Sequence, residues 1–323
     1  MLGIKITTLG RIYEGLKDAG RGIAFTSMFG ASALGFSSYG HAAEPPAPAG
    51  QGPIDKSAEK AKSIEKLVEQ AKSEKLAIAD LGDLCLKASK DRDYIPILEA
   101  ALNKEEYEGL PLIDALAYAY YSSSFTYTDE ARKLVRNDRK KADELFGKAL
   151  EDAVKSIGIV EGKYEKKEDI EGSDLSLLAS AYTAKADALF ELKRYKEAID
   201  PFKMALSLYQ RRLKLEKKYE GKEEDENGLS YSTSGLLHAK YYGELAPIER
   251  ELRKLEKGSD KAKAKSKELL DGCYEMFKIV GASEEEIDKL KTREDVSERF
   301  KGMEDNVIKL LRYIWGLKER ESK

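Results

Sequence analysis

Two histidines and two cysteines occur in the 323 residues: His41, His238, Cys85 and Cys273. A Ser-His-Asp or Cys-His relay needs an imidazole beside its nucleophile. His41 falls in a leader-like N-terminal segment. His238 is flanked by Leu236, Leu237, Tyr241 and Tyr242, the setting of a partly buried helical histidine. The HExxH, CxxC, P-loop and GxGxxG spacings do not occur. Carboxylates are plentiful, but no pair stands out as the acid and base of a glycosidase. Cys85 and Cys273 lie in apolar surroundings and read as small buried hydrophobes, with a disulfide chemically permitted only if the chain is exported. The expectation is a protein that is not an enzyme, with no catalytic residue, no metal ligand set and no cofactor.

Contact chemistry is better supplied. The chain holds 18 Tyr, and Tyr118, Tyr120 and Tyr121 cluster within four residues. Tyrosine offers a large contact area at little rotamer entropy, though helix–helix packing uses it as well. Lys plus Arg is 56 and Asp plus Glu is 59, for a net charge of −3. That near cancellation suits solvated, salt-bridged helices and argues against nucleic acid as a partner. The run Lys257–Lys267 places Lys261, Lys263, Lys265 and Lys267 two apart, which on a helix spreads them over opposite faces.

The N-terminus differs in kind from the rest. Residues 1–52 hold 10 of the 25 Gly, and Gly22–Gly40 carries no charge. Its apolar centre has the length of a signal-peptide core and is short for a membrane span. Lys5, Arg11, Lys17 and Arg21 precede it, and the small residues Gly40 and Ala42 follow, as a signal peptidase requires. Residues 1–43 are therefore expected to be a signal peptide or N-terminal anchor, and 44–55 a stiff Pro/Gly-rich linker. The expected location is extracytoplasmic: periplasmic, cell-surface or secreted. Membrane contact would come only through an uncleaved leader.

The body that must position any site reads as helical throughout. From Ile54 onward Pro occurs only at 96, 111, 201 and 247, and Ala, Leu, Lys and Glu dominate. Apolar residues recur at spacings of 3 and 4, not 2. The stripe Val296, Phe300, Met303, Val307, Leu310, Ile314 and Leu317 is one case, and Ser283 with Glu286 has capping-box spacing. The fold class is all-α.

Residues 179–212 carry Tyr182, Ala186, Leu189, Tyr195, Ala198, Phe202, Ala205 and Leu206, with the string from Leu192 to Asp200 marking a turn and a second helix. This resembles the tetratricopeptide repeat, a helix-turn-helix unit whose small residues sit at a close helix crossing. A weaker copy at 75–108 shows Ile78, Leu81, Gly82, Cys85, Leu98, Ala101 and Leu102, but Asp91 and Tyr94 depart from the pattern. Another at 109–156 is split. Ile113, Leu116, Ala117 and Tyr120 match its first helix, and Ala142, Phe146, Ala149 and Leu150 its second. The extra residues between them, including Ser122–Ser123–Ser124 and the helix-like run Thr128–Asp138, read as an insertion at a loop. Pro201 is expected to remove a hydrogen bond and kink its helix.

The resemblance implies an α-solenoid of such repeats over 56–212, closed by charged capping helices over 213–323. The acidic stretch Glu223–Glu226 reads as a solvated turn between the two parts. It also implies that one set of first-helix positions faces a concave groove. Carried over, these are Asp80, Asp83 and Leu86 in the first unit; Asp114, Tyr118 and Tyr121 in the second; and Thr183, Asp187, Phe190 and Glu191 in the third. Where some members of the family clamp a carboxylate with Lys and Asn, this chain has acids, Lys87 excepted. The groove would disfavour a carboxylate and suit a protein or peptide with a basic segment. The alternative is a structural, oligomerising adaptor in which the repeats act as a spacer.

Overall fold

The computed structural model describes residues 56–73, 84, 87–88, 91–102, 112–215, 221–256, 259–279 and 285. Among them every regular element is helical and no strand forms. The leader, the linker, Asp80, Asp83, Leu86, Cys85 and the stripe from Val296 to Leu317 lie outside the described residues.

Helix α1, Lys56–Ser73, presents Ile64, Val68 and Ala71 to one side, where they pack with Ile97, Leu98 and Ala101 of α2, Ile95–Leu102. A single 3-10 turn, Arg92–Tyr94, leads into α2, and the Asp91 carboxylate accepts from the Asp93 N–H at 3.1 Å. That bond satisfies one of the donors a helix start leaves open.

Helix α3, Leu112–Leu134, runs straight through the Ser triplet. The residues expected as a loop insertion instead lengthen α3 and its partner α4, Arg139–Gly162. The reason lies in the neighbour. Ser124 Oγ donates to the Ala149 carbonyl at 2.8 Å, Ser156 Oγ to the Ala117 carbonyl at 2.8 Å, and Ser123 Oγ to Asp152 at 2.6 Å. The Ser123, Ser124 and Ser156 hydroxyls, which would compete with a helix in water, are used up across the seam. Ala117, Ser124 and Ala131 of α3 and Ala142, Ala149 and Ser156 of α4 are all fully buried. Small side chains on both sides let the two backbones approach.

Helices α5, Gly172–Glu191, and α6, Tyr195–Leu215, form the helix-turn-helix expected at 179–212. Ala186, Ala198 and Ala205 are fully buried, as a close crossing requires. The turn is a Schellman motif: Arg194 N–H donates to the Leu189 carbonyl and Lys193 N–H to that of Phe190, both at 2.9 Å. Lys193 occupies the left-handed position with φ 62°. Pro201 is buried within α6 and does not end it.

Helix α7, Lys222–Lys240, corrects a second expectation. Glu223, Glu224 and Asp225 lie in its first turn and Glu226 follows within the helix, so the stretch is not a loop. Asp225 is buried, accepts from Ser176 Oγ of α5 at 2.8 Å, and lies 3.9 Å from the buried Arg212 of α6. The acids favour this position because a helix N-terminus carries partial positive charge. Two glycines seat α7 on α6. A Cβ on Gly228 would enter the Tyr209 ring, and one on Gly235 the Phe202 ring. A π-turn, Tyr241–Leu245, follows, then α8, Ala246–Leu252, and α9, Asp260–Ile279. Pro247 has no N–H to give the Gly243 carbonyl, which accounts for the irregular turn just before it. Lys261, Lys263 and Lys267 of α9 are exposed, as their spacing implied.

The long helices pack in chain order, α3 on α4, α4 on α5, α5 on α6 and α6 on α7. In addition α3 touches α5, and α5 touches α7. These alternate helices lie side by side, and the candidate site runs across them.

Candidate functional site

Helix α3 presents different stripes to different neighbours, and this decides where each candidate residue sits. Ala117, Ser124 and Ala131 face α4. Asp114, Tyr118, Tyr121, Phe125, Asp129 and Arg132, spaced by 3 and 4, form the stripe toward α5 and α7. Tyr120, Ser123 and Tyr127 form a third, beside α1 and α2.

Asp114, at the open end of the second stripe, is half exposed and pairs with Lys163, which also holds Asp174. Tyr118 is half-buried, and its ring lies 5.9 Å from that of Tyr121, which in turn meets Phe125 edge-on at 4.9 Å. Tyr121 is buried in the core between α3, α5 and α6. Burial holds the phenols of Tyr118 and Tyr121 above their ordinary pKa, so both stay protonated.

The other end is a charged network joining three helices. Asp187 of α5 is buried and accepts from the Tyr231 hydroxyl of α7 at 2.6 Å. Arg132 of α3 lies 3.7 Å from Asp187 and donates to Glu191 at 2.8 Å. Arg139 donates to the Glu191 carbonyl at 2.7 Å. Burial pushes the Asp187 carboxyl up to about 6, opposed by Arg132 and by the Tyr231 hydroxyl. Burial works against the Arg132 charge, but Asp187, Tyr231 and Glu191 outweigh it and hold its pKa above the usual arginine value. Asp129 beside them is also raised by burial, against Arg132 and Lys133. Thr183 is buried and shares a hydroxyl contact of 2.8 Å with Ser232 of α7. The structure thus brings Asp187, Glu191 and Thr183 together as tethers between helices, each with an internal partner.

Phe190 points elsewhere, into an aromatic cluster with Tyr195 at 5.0 Å, Tyr242 at 6.0 Å and His238 at 6.4 Å. Tyr242 is 45% exposed. The sequence placed Phe190 at a contact position, but its ring neighbours come from two other elements: Tyr195 from the start of α6 and Tyr242 from the π-turn. Half-buried His238 is a member of this cluster, and Cys273 is a free buried thiol raised to about 12 by burial.

A set the sequence did not single out lies on the third stripe: Tyr120, Ser123 and Tyr127 with Glu99 of α2 and Asp152 of α4. Its signal was Tyr120, Ser123 and Tyr127 at i, i+3 and i+7, read only as packing at Tyr120. Among the described residues no group of His, Cys, Asp and Glu has the arrangement of a metal site, and no helix is long and apolar enough to cross a membrane. Comparison with protein-family profiles, with curated proteins and with solved structures returns no match.

Proposed function

We propose that the chain is a non-catalytic helical-repeat protein of the tetratricopeptide kind that holds a protein or peptide partner with a basic segment. The observation that carries this reading is the side-by-side run of α3, α5 and α7, with α4 and α6 each packed between successive members. Alternation of that kind is how stacked helix pairs offer one long surface to a partner. Along it Asp114 and Tyr118 retain exposed area, Phe190 lies beside it in its aromatic cluster, and the acids Asp129, Asp187 and Glu191 gather at the Arg132 network. Asp187, Tyr121 and Glu191 support the surface from beneath. The uncharged Gly22–Gly40 stretch supports an extracytoplasmic location. The reading involves no cofactor.

The test is calorimetric titration of the chain with matched basic and acidic peptides at low and moderate salt. Basic peptides are expected to bind, more weakly as salt rises, and Asp114→Lys or Phe190→Ala to weaken them several-fold. A preference for acidic peptides, or indifference to both substitutions, would contradict it. Exposed Tyr242 in its ring cluster favours the second reading, an oligomerising adaptor. Sedimentation showing a dimer broken by Tyr242→Ser, with no peptide bound, would select that reading instead.

A further inference from the structure

A cleft of about 540 Å³ opens between α1, the Arg92–Tyr94 turn, α2, α3 and α4. That is within the range of ligand-binding pockets. Ala61, Ile64 and Pro96 supply an apolar wall. On α3, Tyr120 and Ser123 supply hydroxyls that are already committed: Tyr120 Oη donates to Glu99 Oε1, and Ser123 Oγ to Asp152 Oδ2 at 2.6 Å. Both α3 residues are buried, so the carboxylates they hold have fixed places.

The cations of the cleft are occupied as well. Lys155 lies over the Tyr120 ring at 5.0 Å and pairs with Glu151 at 3.2 Å. Arg92 lies over the Tyr127 ring at 4.1 Å and pairs with Glu130 at 3.1 Å. Among the described residues, neither Glu99 nor Asp152 has a cation within ion-pair distance. The second oxygen of each, Glu99 Oε2 and Asp152 Oδ1, accepts no hydrogen bond there. Asp152 shows the consequence: burial raises its pKa, Ser123 and Lys155 oppose that, and Glu151 and Glu99 add to it. Two anchored carboxylates thus lie close enough to repel each other beside an apolar wall, with the nearby cations held on rings.

We infer that this cleft takes an alkylammonium group, its nitrogen between Glu99 and Asp152 and its methylenes along Ile64 and Pro96. The shared chemistry is that of a partner's lysine side chain and of a free aliphatic amine. A planar guanidinium is a poorer match, because the two carboxylates come from different helices. The inference deepens the proposed function by placing the basic residue of the partner on the third stripe of α3, away from the acids that are already paired. It rests on that reading only for the source of the amine.

The experiment is titration of the full chain, followed by NMR or calorimetry, with n-butylammonium chloride and with acetyl-alanyl-lysyl-alanine amide. The glutamine analogue of that peptide is the control. Wild type is compared with Asp152→Asn, Glu99→Gln and the remote Asp200→Asn. The first two keep the hydroxyl bonds and so the fold, which far-UV circular dichroism checks. Both probes are expected to bind, the glutamine analogue not, and each cleft variant to lose about tenfold or more in affinity, as expected for a charge-assisted bond. Asp200→Asn should bind as wild type. Butylammonium bound without the peptide would make a small amine the ligand and overturn the basic-peptide reading alone. Peptide affinity unchanged in both cleft variants but lost in Asp114→Lys would overturn the cleft and leave that reading standing. Binding of neither probe would overturn the cleft as an amine site.

Discussion

The seam between α3 and α4 and the seam between α6 and α7 bring helices together by opposite means. In the first, small residues face small residues, Ala117 against Ser156 and Ser124 against Ala149, and hydroxyls cross to carbonyls. In the second, whole rings sit on bare backbone, Tyr209 on Gly228 and Phe202 on Gly235. The first spreads its tolerance over many small contacts. The second concentrates it at two positions where nothing larger than hydrogen fits.

The largest effect should therefore fall on the second seam. Tyr209 and Phe202 are each 1% exposed and have nowhere to move. Gly228→Ala or Gly235→Ala should cost on the order of 2–4 kcal/mol by overpacking, read in urea unfolding. The same substitution on α4 reverses sign. Gly147 and Gly158 are exposed with nothing within 4 Å of a new Cβ, so Gly158→Ala should gain about 0.5–1 kcal/mol from helix propensity. If the two sets of alanines behaved alike, the contrast would be broken.

A single contact of the first seam should matter less. Ser156→Ala should lose about 1 kcal/mol, the net worth of one hydrogen bond. A pH-dependent term sits at the Asp187 network between the seams. Asp187 holds its proton more tightly in the folded chain, at about 6 against 3.8. Its contribution to stability is complete below the lower value and is lost as pH rises through the higher. Asp187→Asn should flatten the thermal stability profile between pH 4 and 6, and an unchanged slope would remove the assignment. The smallest effect is expected at the α5–α6 turn. Lys193→Gly should stabilise by about 0.5–1 kcal/mol, because a left-handed backbone suits glycine.

These two seams were not equally legible. The all-helical fold and the 179–212 pair followed from apolar spacing and from the string at Leu192, because those signals are local. The α3–α4 seam was misplaced at its middle. Ser122–Ser123–Ser124 reads as a loop when its hydroxyls have no distant partner, and the partners of two of them, the Ala149 carbonyl and Asp152, lie on the neighbouring helix. The α6–α7 seam was invisible as a contact. Gly228 and Gly235 are seven apart, as are Phe202 and Tyr209, but pairing them requires knowing that the helices are antiparallel neighbours. The same limit applies to the site. The acidic and aromatic character of the α3 stripe was readable. That Asp187 and Glu191 would both pair with Arg132, 55 residues before the first of them in the chain, was not, and neither was the Glu99–Asp152 cleft.

Hydroxyl-radical footprinting of the full chain with and without the lysine peptide tests the central claim most directly. The account expects protection of Tyr127 and Ile64 in the cleft and of Tyr118 on the adjacent stripe, with the exposed Val154 of α4 unchanged. Protection confined to α9, or none at saturating peptide, would contradict it.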